Sequence, residues 1–478
     1  MSTIFNNPKP NLFIYCIMLN NVNKKFYLAG IRGISMSAIA AFLKSFGLQV
    51  FGSDEVCGGD EYDNLKNMGI EIFSNLTDEA ISKIKPDVFI YSVAIKEDNP
   101  EFQYAINNGL EIYSRGYALG QIANNFKKTI AISGSHGKTT TTSLVSHILN
   151  NSGIDPTCHI GGIAKNFESN YKIGKSKEVF VTEACEYYDS FLNLSPYISA
   201  ILNIGEDHLD YFKTIDNLKR SFEKFADNTV CGGFLIANKD DKSVMEIANN
   251  QKHKKIITYS INDATADVYI STYRKLYDGK MVFDCVCFGE IISEIYLPLV
   301  GKHNLYNALV SIIVAKIFNI DDYSVRQSIA SFEGVARRYE FVGRINGASV
   351  IHDYAHHPDE ICAVIDETKT ITKGNVIVVF QPHTYSRTKI LWNDFSKALK
   401  KAYRIILYPI YSAREEAVDG VTSEELCNHI CENGGASYYV PDFEKLYELL
   451  KRLIKPNDSI LILGAGDIVN FTKYLSIH

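Results

Sequence analysis

The chain has 478 residues, a length that accommodates about three domains of roughly 100–200 residues each. Hydrophobic residues make up 46% and charged residues 22% of the chain, as in globular proteins with a large apolar core. The 49 basic and 55 acidic residues give a net charge of −6, which argues against a polybasic surface for nucleic acid or an anionic membrane. No apolar run approaches the roughly 20 residues of a membrane-spanning helix, so we expect no membrane insertion.

The 10 cysteines are scattered and form no CxxC pair. We therefore expect reduced thiols in a cytoplasmic protein rather than a disulfide or zinc framework. Residues 1–24 are predicted to be a loosely ordered leader. Residues 12–19 (LFIYCIML) are as apolar as a signal-peptide core, but polar residues follow where a small-residue cleavage site would stand. We expect a chain that starts near Asn23 to keep its function.

The region of residues 25–127 opens with a strand, KFYLAG, and a glycine turn that leads into a helical apolar pattern. Strand, helix and strand at this spacing predict a Rossmann-like domain with a parallel sheet. Glycines let backbone amides approach a diphosphate, and an acid after the second strand often meets a ribose hydroxyl. By itself the turn fits either a nucleotide site or a plain strand–helix connection. Its candidate binding residues are Gly30, Arg32, Gly33, Ser35, Asp54 and Ser92.

The strongest motif lies between a predicted strand, KTIAIS, and a helix in the region of residues 128–335. Backbone amides of such a glycine-rich loop converge on phosphate oxygens, a lysine supplies positive charge, and a hydroxyl contacts Mg²⁺. The first glycine lies four residues before the lysine rather than six, which departs from the common P-loop. We predict a P-loop-type ATPase domain with a parallel sheet and a small β insertion near residues 266–298. The loop residues are Gly134, Ser135, His136, Gly137, Lys138, Thr139 and Thr140.

Two further polar positions follow hydrophobic strands of this region. Glu183 closes one strand, and the pair Asp207-His208 follows the next. The carboxyl ends of parallel strands meet at one edge of a sheet, so these groups can face the loop and complete a divalent-metal site with Thr139. The alternative is that each is a solvated strand end.

The region of residues 336–478 repeats the α/β pattern and is predicted to be a second Rossmann-like domain. Two histidine-containing turns follow its strands, at His356-His357 and at His383. Adjacent histidines rarely ligate one ion together, so we favour anion or substrate contacts over a structural zinc.

These motifs, in this order, resemble the Mur ligase family, whose members form amide bonds with ATP in peptidoglycan synthesis. The resemblance extends from residue 25 to residue 467. Its segments are GIRGISMS at 30–37, SGSHGKTTTT at 133–142, EACEY at 183–187, NIGEDHLDYF at 203–212, GKHNLYNA at 301–308, RRYE at 337–340, HDYAHHP at 352–358, FQPHTYSRT at 380–388 and GAGDI at 464–468. So many segments in one order are more specific than any single motif.

The resemblance implies an N-terminal domain for the UDP-sugar, a central domain for ATP and metal, and a C-terminal domain for the amino acid. Lys138 would hold the β- and γ-phosphates, and Thr139, Glu183 and His208 would gather Mg²⁺, with Mn²⁺ as a substitute. The implied catalytic residues are Lys138, Glu183, His208 and Arg338. The further ATP contacts it implies are His303, Asn304, Asn307, Arg338 and Asp353. The implied acceptor pocket is formed by His356, His383 and Arg387.

Within the family the chain is most similar to the branch that joins L-alanine to UDP-N-acetylmuramate through an acyl phosphate. Several sister enzymes carry a modified lysine where this chain has Phe222, 14 residues after His208. Arg32 stands where the family usually has glycine, so we expect a differently shaped diphosphate turn or direct use of the guanidinium. We expect a monomer or homodimer with small-molecule substrates and no nucleic-acid partner.

Three alternatives remain open at this point. One is the recycling branch of the family, which attaches a tripeptide to the same sugar. A second is a nucleotide-binding switch protein, whose slow hydrolysis would not respond to sugar or amino acid. A third, a nicotinamide dehydrogenase, would use the first glycine turn and leave the GKTT segment unexplained.

Overall fold

The computed structural model describes residues 19, 23–55, 58–74, 76–206, 208–251, 254–413 and 415–475. The predicted leader therefore lies almost wholly outside the described residues, as does Asp207. The strands are β1 (Lys25–Ala29), β2 (Gln49–Asp54), β3 (Glu71–Ser74), β4 (Val88–Tyr91), β5 (Glu111–Ser114), β6 (Lys128–Ser133), β7 (Thr157–Ala164), β8 (Ser169–Lys172), β9 (Val179–Glu183), β10 (Ile198–Ile201), β11 (Phe234–Asn238), β12 (Lys255–Ser260), β13 (Val268–Lys275), β14 (Met281–Cys287), β15 (Glu290–Leu297), β16 (Glu340–Ile345), β17 (Ala348–Asp353), β18 (Val376–Phe380), β19 (Arg404–Leu407), β20 (Ser437–Tyr439) and β21 (Ser459–Leu463).

The helices alternate with the strands along most of the chain. They are α1 (Ile34–Ser45), α2 (Asp60–Asn67), α3 (Asp78–Ile84), α4 (Pro100–Asn107), α5 (Arg115–Ala123), α6 (Lys138–Asn151), α7 (Leu209–Phe212), α8 (Ile215–Asp227), α9 (Lys242–Asn250), α10 (His303–Ile317), α11 (Asp322–Ala330), α12 (Pro358–Ile371), α13 (Tyr385–Ile390), α14 (Trp392–Leu399), α15 (Ser423–Glu432), α16 (Phe443–Leu453) and α17 (Asn470–Leu475). Short 3-10 turns lie at Lys165–Phe167, Tyr187–Asn193 and Asp467–Val469. No helix in the described part of the chain has both the length and the apolar character needed to cross a bilayer.

Each predicted region has a sheet of its own, and the three-part α/β architecture is confirmed. The N-terminal sheet has the order β3-β2-β1-β4-β5, and its neighbouring strands all pair in parallel. This reversal of strand order on either side of β1 is that of a doubly wound fold, in which ligands bind beyond the carboxyl ends of the central strands.

The central sheet has the order β15-β14-β13-β12-β11-β10-β6-β9-β7-β8. Parallel pairs run from β12 through β11, β10 and β6 to β9, and β9 also pairs in parallel with β7. The β-rich segment predicted near residues 266–298 forms β13, β14 and β15, which continue this sheet beyond β12. The phosphate loop follows β6, in the parallel part of the sheet.

The C-terminal sheet has the order β16-β17-β21-β18-β19-β20. Its pairs are parallel from β17 to β20, and β16 lies antiparallel to β17 at one edge. The four apolar strands β17, β18, β19 and β21 are buried on both faces, as is typical of a parallel sheet covered by helices.

Contacts divide the chain into two compact units. The first contains the described residues of Met1–Tyr273 together with Phe283–Leu297 and His303–Glu333, and the second contains Arg274–Val282, Pro298–Lys302 and the chain from Gly334. The N-terminal and central sheets belong to the first unit and share an apolar core. In it Phe180 of β9 packs edge-to-face on Phe42 of α1 at 5.7 Å and stacks on Phe126 at 5.0 Å. Ring pairs of this kind add to the burial of apolar area that holds the two sheets together.

Candidate active site

The glycine-rich loop joins β6 to α6, as the sequence predicted. Gly134 has φ 140° and Gly137 has φ 87°, a region that side-chain-bearing residues rarely adopt. Gly137 is also the N-cap residue of α6, and a β-carbon there would lie 2.8 Å from the Asn307 side-chain oxygen. The loop conformation therefore requires glycine at this position.

A second loop, which follows β10, braces the phosphate loop. Asn203 accepts a hydrogen bond from the backbone amide of His136 at 2.8 Å and donates one to the carbonyl of the same residue at 3.0 Å. The Ser135 amide donates to the Asn203 carbonyl at 3.0 Å, and the Ser135 hydroxyl accepts from the Gly205 amide at 2.9 Å. These reciprocal bonds give the phosphate loop one defined shape without a ligand.

Lys138 is partly buried at the start of α6, with its side chain 12% exposed, and its ammonium group faces the loop. It donates to the carbonyl oxygens of Gly134 at 2.5 Å and Ser135 at 3.2 Å and to Glu186 Oε1 at 3.0 Å. Burial by itself lowers the pKa of Lys138, but the Glu186 and Glu183 carboxylates outweigh it and hold the pKa above its ordinary value. The loop therefore presents a fixed positive charge, which suits a polyphosphate ligand.

Thr139 and Glu183 come together, as predicted for a metal site. The Thr139 hydroxyl donates to Glu183 Oε2 at 2.8 Å, and the backbone amide of Gly161 donates to the same oxygen at 3.0 Å. A β-carbon on Gly161 would overlap the Glu183 carboxylate, so the backbone of β7 approaches it closely. The hydroxyl in the first turn of α6 and the carboxylate at the end of β9 are hard oxygen donors of the kind that Mg²⁺ prefers.

His208 lies beside Glu186 and Tyr187. Its Nε2 atom is 3.7 Å from Glu186 Oε1, and its ring stacks on that of Tyr187 with centroids 4.3 Å apart. The side chain is 24% exposed, so one side of the imidazole remains accessible. In the described residues no group of three or more His, Cys, Asp or Glu side chains forms a ready cation site, so the metal role of His208 stays a prediction.

The asparagines at the start of α10 pack against α6. Asn307 is 4% exposed, accepts a hydrogen bond from the Thr141 hydroxyl at 2.9 Å and donates to Asn304 Oδ1 at 2.8 Å. The side-chain amide of Asn304 is in turn 3.2 Å from His303 Nε2. These residues are thus placed beside the phosphate loop, but the described hydrogen bonds of Asn307 are to other residues of the protein, and its contact with ATP stays a prediction.

The first glycine turn is closed by bonds within the N-terminal sheet. The backbone amides of Gly30 and Ile31 donate to the Ser53 carbonyl at 2.9 and 3.0 Å, and the amide of Arg32 donates to Asp54 Oδ2 at 3.0 Å. The sequence predicted that amides of this turn face a diphosphate. In the structure these three amides bond to β2, so a contact of Arg32 with a ligand would have to be made by its side chain.

Ser35 lies in a polar network that joins the N-terminal and central sheets. Its hydroxyl is 2.8 Å from His159 Nε2 and accepts from Arg115 Nη1 at 3.0 Å. Arg115 also donates to the Ser190 hydroxyl at 3.1 Å. Burial and the nearby Arg115 lower the pKa of His159 to about 3, so this imidazole is neutral. Ser92 is elsewhere, where its hydroxyl accepts the Ala94 amide at 3.4 Å.

The second unit contains the remaining predicted residues. Asp353 is 8% exposed, and its carboxylate accepts the backbone amides of Tyr339 at 2.7 Å and Ala355 at 2.8 Å. Burial raises the pKa of this carboxyl. Arg338 packs over the Tyr354 ring with its guanidinium carbon 5.1 Å from the centroid. One Asp353 oxygen thus holds the amide that directly follows Arg338, and the other holds the turn after β17, so the carboxylate supports the shape of both segments.

His356, His383 and Arg387 gather at the carboxyl end of β18. The two imidazole rings lie 5.9 Å apart, and that of His383 stacks on Tyr411 at 5.6 Å. Burial and the charge of Arg387 lower the pKa of His383 to about 4, and burial also lowers that of His356. Among the described residues, Arg387 Nη1 is buried without a hydrogen-bond partner. A guanidinium with one buried nitrogen, beside two imidazoles of lowered pKa, can pair with a small carboxylate, and the acceptor-pocket role stays a prediction.

Several residues of the site escaped sequence reasoning. Asn203 and Glu186 lie inside recognised motifs, but no role was predicted for either, because an amide or an acid near a strand end is usually solvated. Arg115 lies in a segment without any motif. A second glutamate three residues after Glu183 was the one available signal.

Three family models match the chain and together cover most of it. The Mur ligase family catalytic domain matches residues 25–127, the Mur ligase middle domain matches residues 132–315, and the Mur ligase glutamate ligase domain matches residues 337–466.

Curated relatives match over nearly their whole length. A UDP-N-acetylmuramate–L-alanine ligase of Caldanaerobacter subterraneus is 41% identical over 445 residues, which are 93% of this chain and 95% of that protein. An enzyme of the same name from Caldicellulosiruptor bescii is 42% identical over 445 residues, 93% of this chain and 96% of that one.

Solved structures share the fold. The crystal structure of UDP-N-acetylmuramate-alanine ligase MurC from Thermotoga maritima has a TM-score of 0.80 at 26% identity and covers 95% of this chain and 100% of that one. A murein peptide ligase from Psychrobacter arcticus has a TM-score of 0.72 at 20% identity, with 95% and 98% covered. The second likeness concerns the fold alone.

Proposed function

The chain belongs to the Mur ligase family, and we propose that it joins L-alanine to the carboxylate of UDP-N-acetylmuramate with the conversion of ATP to ADP and phosphate. It is thus an acid–amino-acid ligase of peptidoglycan synthesis. The observation that carries this proposal is the buried Lys138 ammonium, held by two carbonyls of the phosphate loop and by Glu186 beside the pair Thr139 and Glu183. A loop built this way serves phosphoryl transfer.

A carboxylate is a poor electrophile, so the reaction needs an activated acyl group. The substrate carboxylate attacks the γ-phosphate of ATP and forms an acyl phosphate with release of ADP. The amine of L-alanine then attacks the acyl carbon, and phosphate leaves from the tetrahedral species. Both steps concentrate negative charge, which Lys138 stabilises electrostatically.

The residues Thr139 and Glu183 fit Mg²⁺. Their oxygens lie 2.8 Å apart, between the first turn of α6 and the carboxyl end of β9, and the hydrogen bond between them supports a shared site. We propose that they hold Mg²⁺, with His208 as a third ligand and Mn²⁺ as a substitute. Bound Mg²⁺ would neutralise phosphate charge and polarise the transferred group. Thr139 and Glu183 orient that ion, while Lys138 keeps the phosphates in line.

We assign the UDP-sugar to the N-terminal domain, residues 25–127. The support is its doubly wound sheet, in which ligands bind beyond the carboxyl ends of the strands around the switch in strand order. Because three amides of the glycine turn already bond to β2, we propose that Arg32 meets the diphosphate through its guanidinium. Ser35, held by Arg115 and His159, would contact the sugar end.

We assign the amino acid to the C-terminal domain, residues 336–478. Arg387 would pair with the carboxylate of L-alanine, because its buried Nη1 atom has no hydrogen-bond partner among the described residues. His356 and His383 have lowered pKa values, so they remain neutral near physiological pH and add no charge that repels an ammonium group. The roles of Arg338 at the γ-phosphate and of Asp353 at the ribose rest on the family resemblance.

The place of the reaction is proposed to be the cytoplasm, where ATP is available. The support is chemical: the structure describes eight cysteines, and all of them are free thiols. The proposed partners are the three small-molecule substrates.

The test is phosphate release from ATP in the presence of UDP-N-acetylmuramate, with and without L-alanine, combined with mass analysis of the nucleotide-sugar product. We expect release that depends on both substrates and a product heavier by one alanine residue. Parallel reactions with the tripeptide L-Ala-γ-D-Glu-diaminopimelate address the recycling branch. Product with the tripeptide and none with L-alanine would refute the proposal, and hydrolysis unaffected by either would indicate a nucleotide switch.

A further inference from the structure

Glu186 is a buried acid behind the phosphate loop, outside the residues assigned to ATP or metal above. It is fully buried, and its Oε1 atom accepts a hydrogen bond from Lys138 Nζ at 3.0 Å. The exposed fractions of the two side chains are 12% for Lys138 and 1% for Glu186. A charge pair with so little exposure is screened less by water and salt than a surface pair.

The second carboxylate oxygen is unusual. Within the described residues, Glu186 Oε2 is buried and accepts no hydrogen bond. A buried acceptor that lacks a partner costs about 1–3 kcal/mol, and more when it is charged. An apolar side chain would avoid this cost but would leave the Lys138 ammonium without its counter-charge.

The same carboxylate also reaches the histidine of the site. Oε1 lies 3.7 Å from His208 Nε2, and the neighbouring Tyr187 stacks on the imidazole at 4.3 Å with 25° between the ring planes. The backbone that follows is held in the left-handed region at Tyr188 and Asp189, with φ 52° and 54°. This turn therefore presents residues 186 and 187 to His208 in one fixed arrangement.

We infer that Glu186 is a positioning residue that sets the Lys138 ammonium and the His208 imidazole relative to each other for phosphoryl transfer. It acts through these two groups and does not itself touch the substrates. Glu186 Oε1 contacts both the Lys138 ammonium, which would meet the phosphates, and the His208 imidazole, a proposed metal ligand. This shared oxygen therefore couples the positions of the two groups. Partners of this kind fix the orientation of a ligand, and their loss typically lowers metal affinity or activity about 10- to 100-fold.

This inference rests on the proposed function for its activity readout. Two variants separate charge from shape. In Glu186→Gln the amide oxygen can still accept the Lys138 bond, but the negative charge is lost. In Glu186→Ala both are lost. Asp458→Asn is the matched control, because Asp458 is also a buried carboxylate, 2% exposed, whose oxygens accept the amides of Asn375 and Lys455 far along the chain from the loop.

Three measurements are made on the full chain: kcat and KM for each substrate, the affinity for Mn²⁺ in the presence of a non-hydrolysable ATP analogue by calorimetry, and the melting temperature. For Glu186→Ala we expect kcat and Mn²⁺ affinity to fall about 10- to 100-fold, with the KM for L-alanine unchanged. We expect Glu186→Gln to show a smaller fall of both, and Asp458→Asn to change the melting temperature alone.

A Glu186→Gln variant and a Glu186→Ala variant that both keep the wild-type kcat and Mn²⁺ affinity would overturn the inference, whatever their melting temperatures. If Glu186→Ala does not fold, Glu186→Gln alone tests the inference, because it keeps the shape of the side chain and removes only its charge. Wild-type kcat and Mn²⁺ affinity in Glu186→Gln would then contradict a role for the charge. A wild-type protein that ligates no alanine would refute the proposed function instead, and the Mn²⁺ measurement would still test Glu186.

Discussion

The charge of Glu183 should be needed for metal-dependent turnover and hardly at all for folding. In Glu183→Gln the side-chain oxygen can still accept both bonds that Oε2 receives, from the Thr139 hydroxyl at 2.8 Å and the Gly161 amide at 3.0 Å. The local structure is therefore conserved, and only the negative charge disappears. Losing a ligand that bears on transition-state charge costs several kcal/mol, and about 3 kcal/mol corresponds to roughly a hundredfold in rate.

Glu183→Ala adds a cost to the fold. It leaves the hydroxyl of Thr139, a residue that is 6% exposed, without its described acceptor, which costs about 1–3 kcal/mol. Gly161 is exposed, so its amide can turn to water at little cost. The two variants should thus share the loss of turnover and differ in stability.

The assay is phosphate release as a function of Mg²⁺ concentration, with urea unfolding of each variant alongside. We expect Glu183→Gln to unfold like the wild type while kcat/KM falls about a hundredfold or more at limiting Mg²⁺. His208→Ala should lose turnover too and recover part of it in excess Mg²⁺ or Mn²⁺. Near-normal turnover of Glu183→Gln with an unchanged Mg²⁺ dependence would refute the metal site and leave Glu183 as a structural acceptor.

Four further outcomes follow from single positions. Gly137→Ala should lower the free energy of unfolding by about 1–2 kcal/mol through left-handed backbone strain and by about 1 kcal/mol more through displacement of the Asn307 side chain. We expect a lower urea midpoint and weaker ATP binding. An unchanged midpoint would show that the loop adapts to the new side chain without cost. Phe222 is fully buried, so Phe222→Lys should lower the free energy of unfolding in urea by about 3 kcal/mol or more, and the new lysine should not take the role that it has in the sister enzymes. A stable, active variant would contradict this. Burial holds the pKa of His352 at about 4, so as the pH falls below about 6.5 the unfolded chain binds a proton that the native state does not, and the free energy of unfolding drops by up to about 1.4 kcal/mol per pH unit. His352→Leu should reduce this pH dependence in urea unfolding. An unchanged pH dependence in the variant would show that another group causes it. Arg32→Ala should raise the KM for the UDP-sugar and leave that for ATP unchanged, whereas a change in ATP alone would reassign the N-terminal domain.

The sequence by itself was sufficient for the local structure and the family. The strand KTIAIS was predicted with the bounds Lys128–Ser133 that the structure has, because buried parallel strands are short continuous apolar runs. Glycines and a Gly-Lys-Thr segment at a strand–helix junction marked the phosphate loop. These are properties of neighbouring residues, so they can be read along the chain.

Only the tertiary structure decided which polar atoms are already occupied. Nothing in the pattern around residue 54 indicates that the turn amides bond to β2, or that both oxygens of Asp353 hold backbone amides. Nor could the sequence distinguish Glu186, fully buried against Lys138, from a solvated acid. Hydrogen bonding and burial depend on residues far apart in the chain, 48 positions for this pair, and periodicity has no information about contacts of that separation.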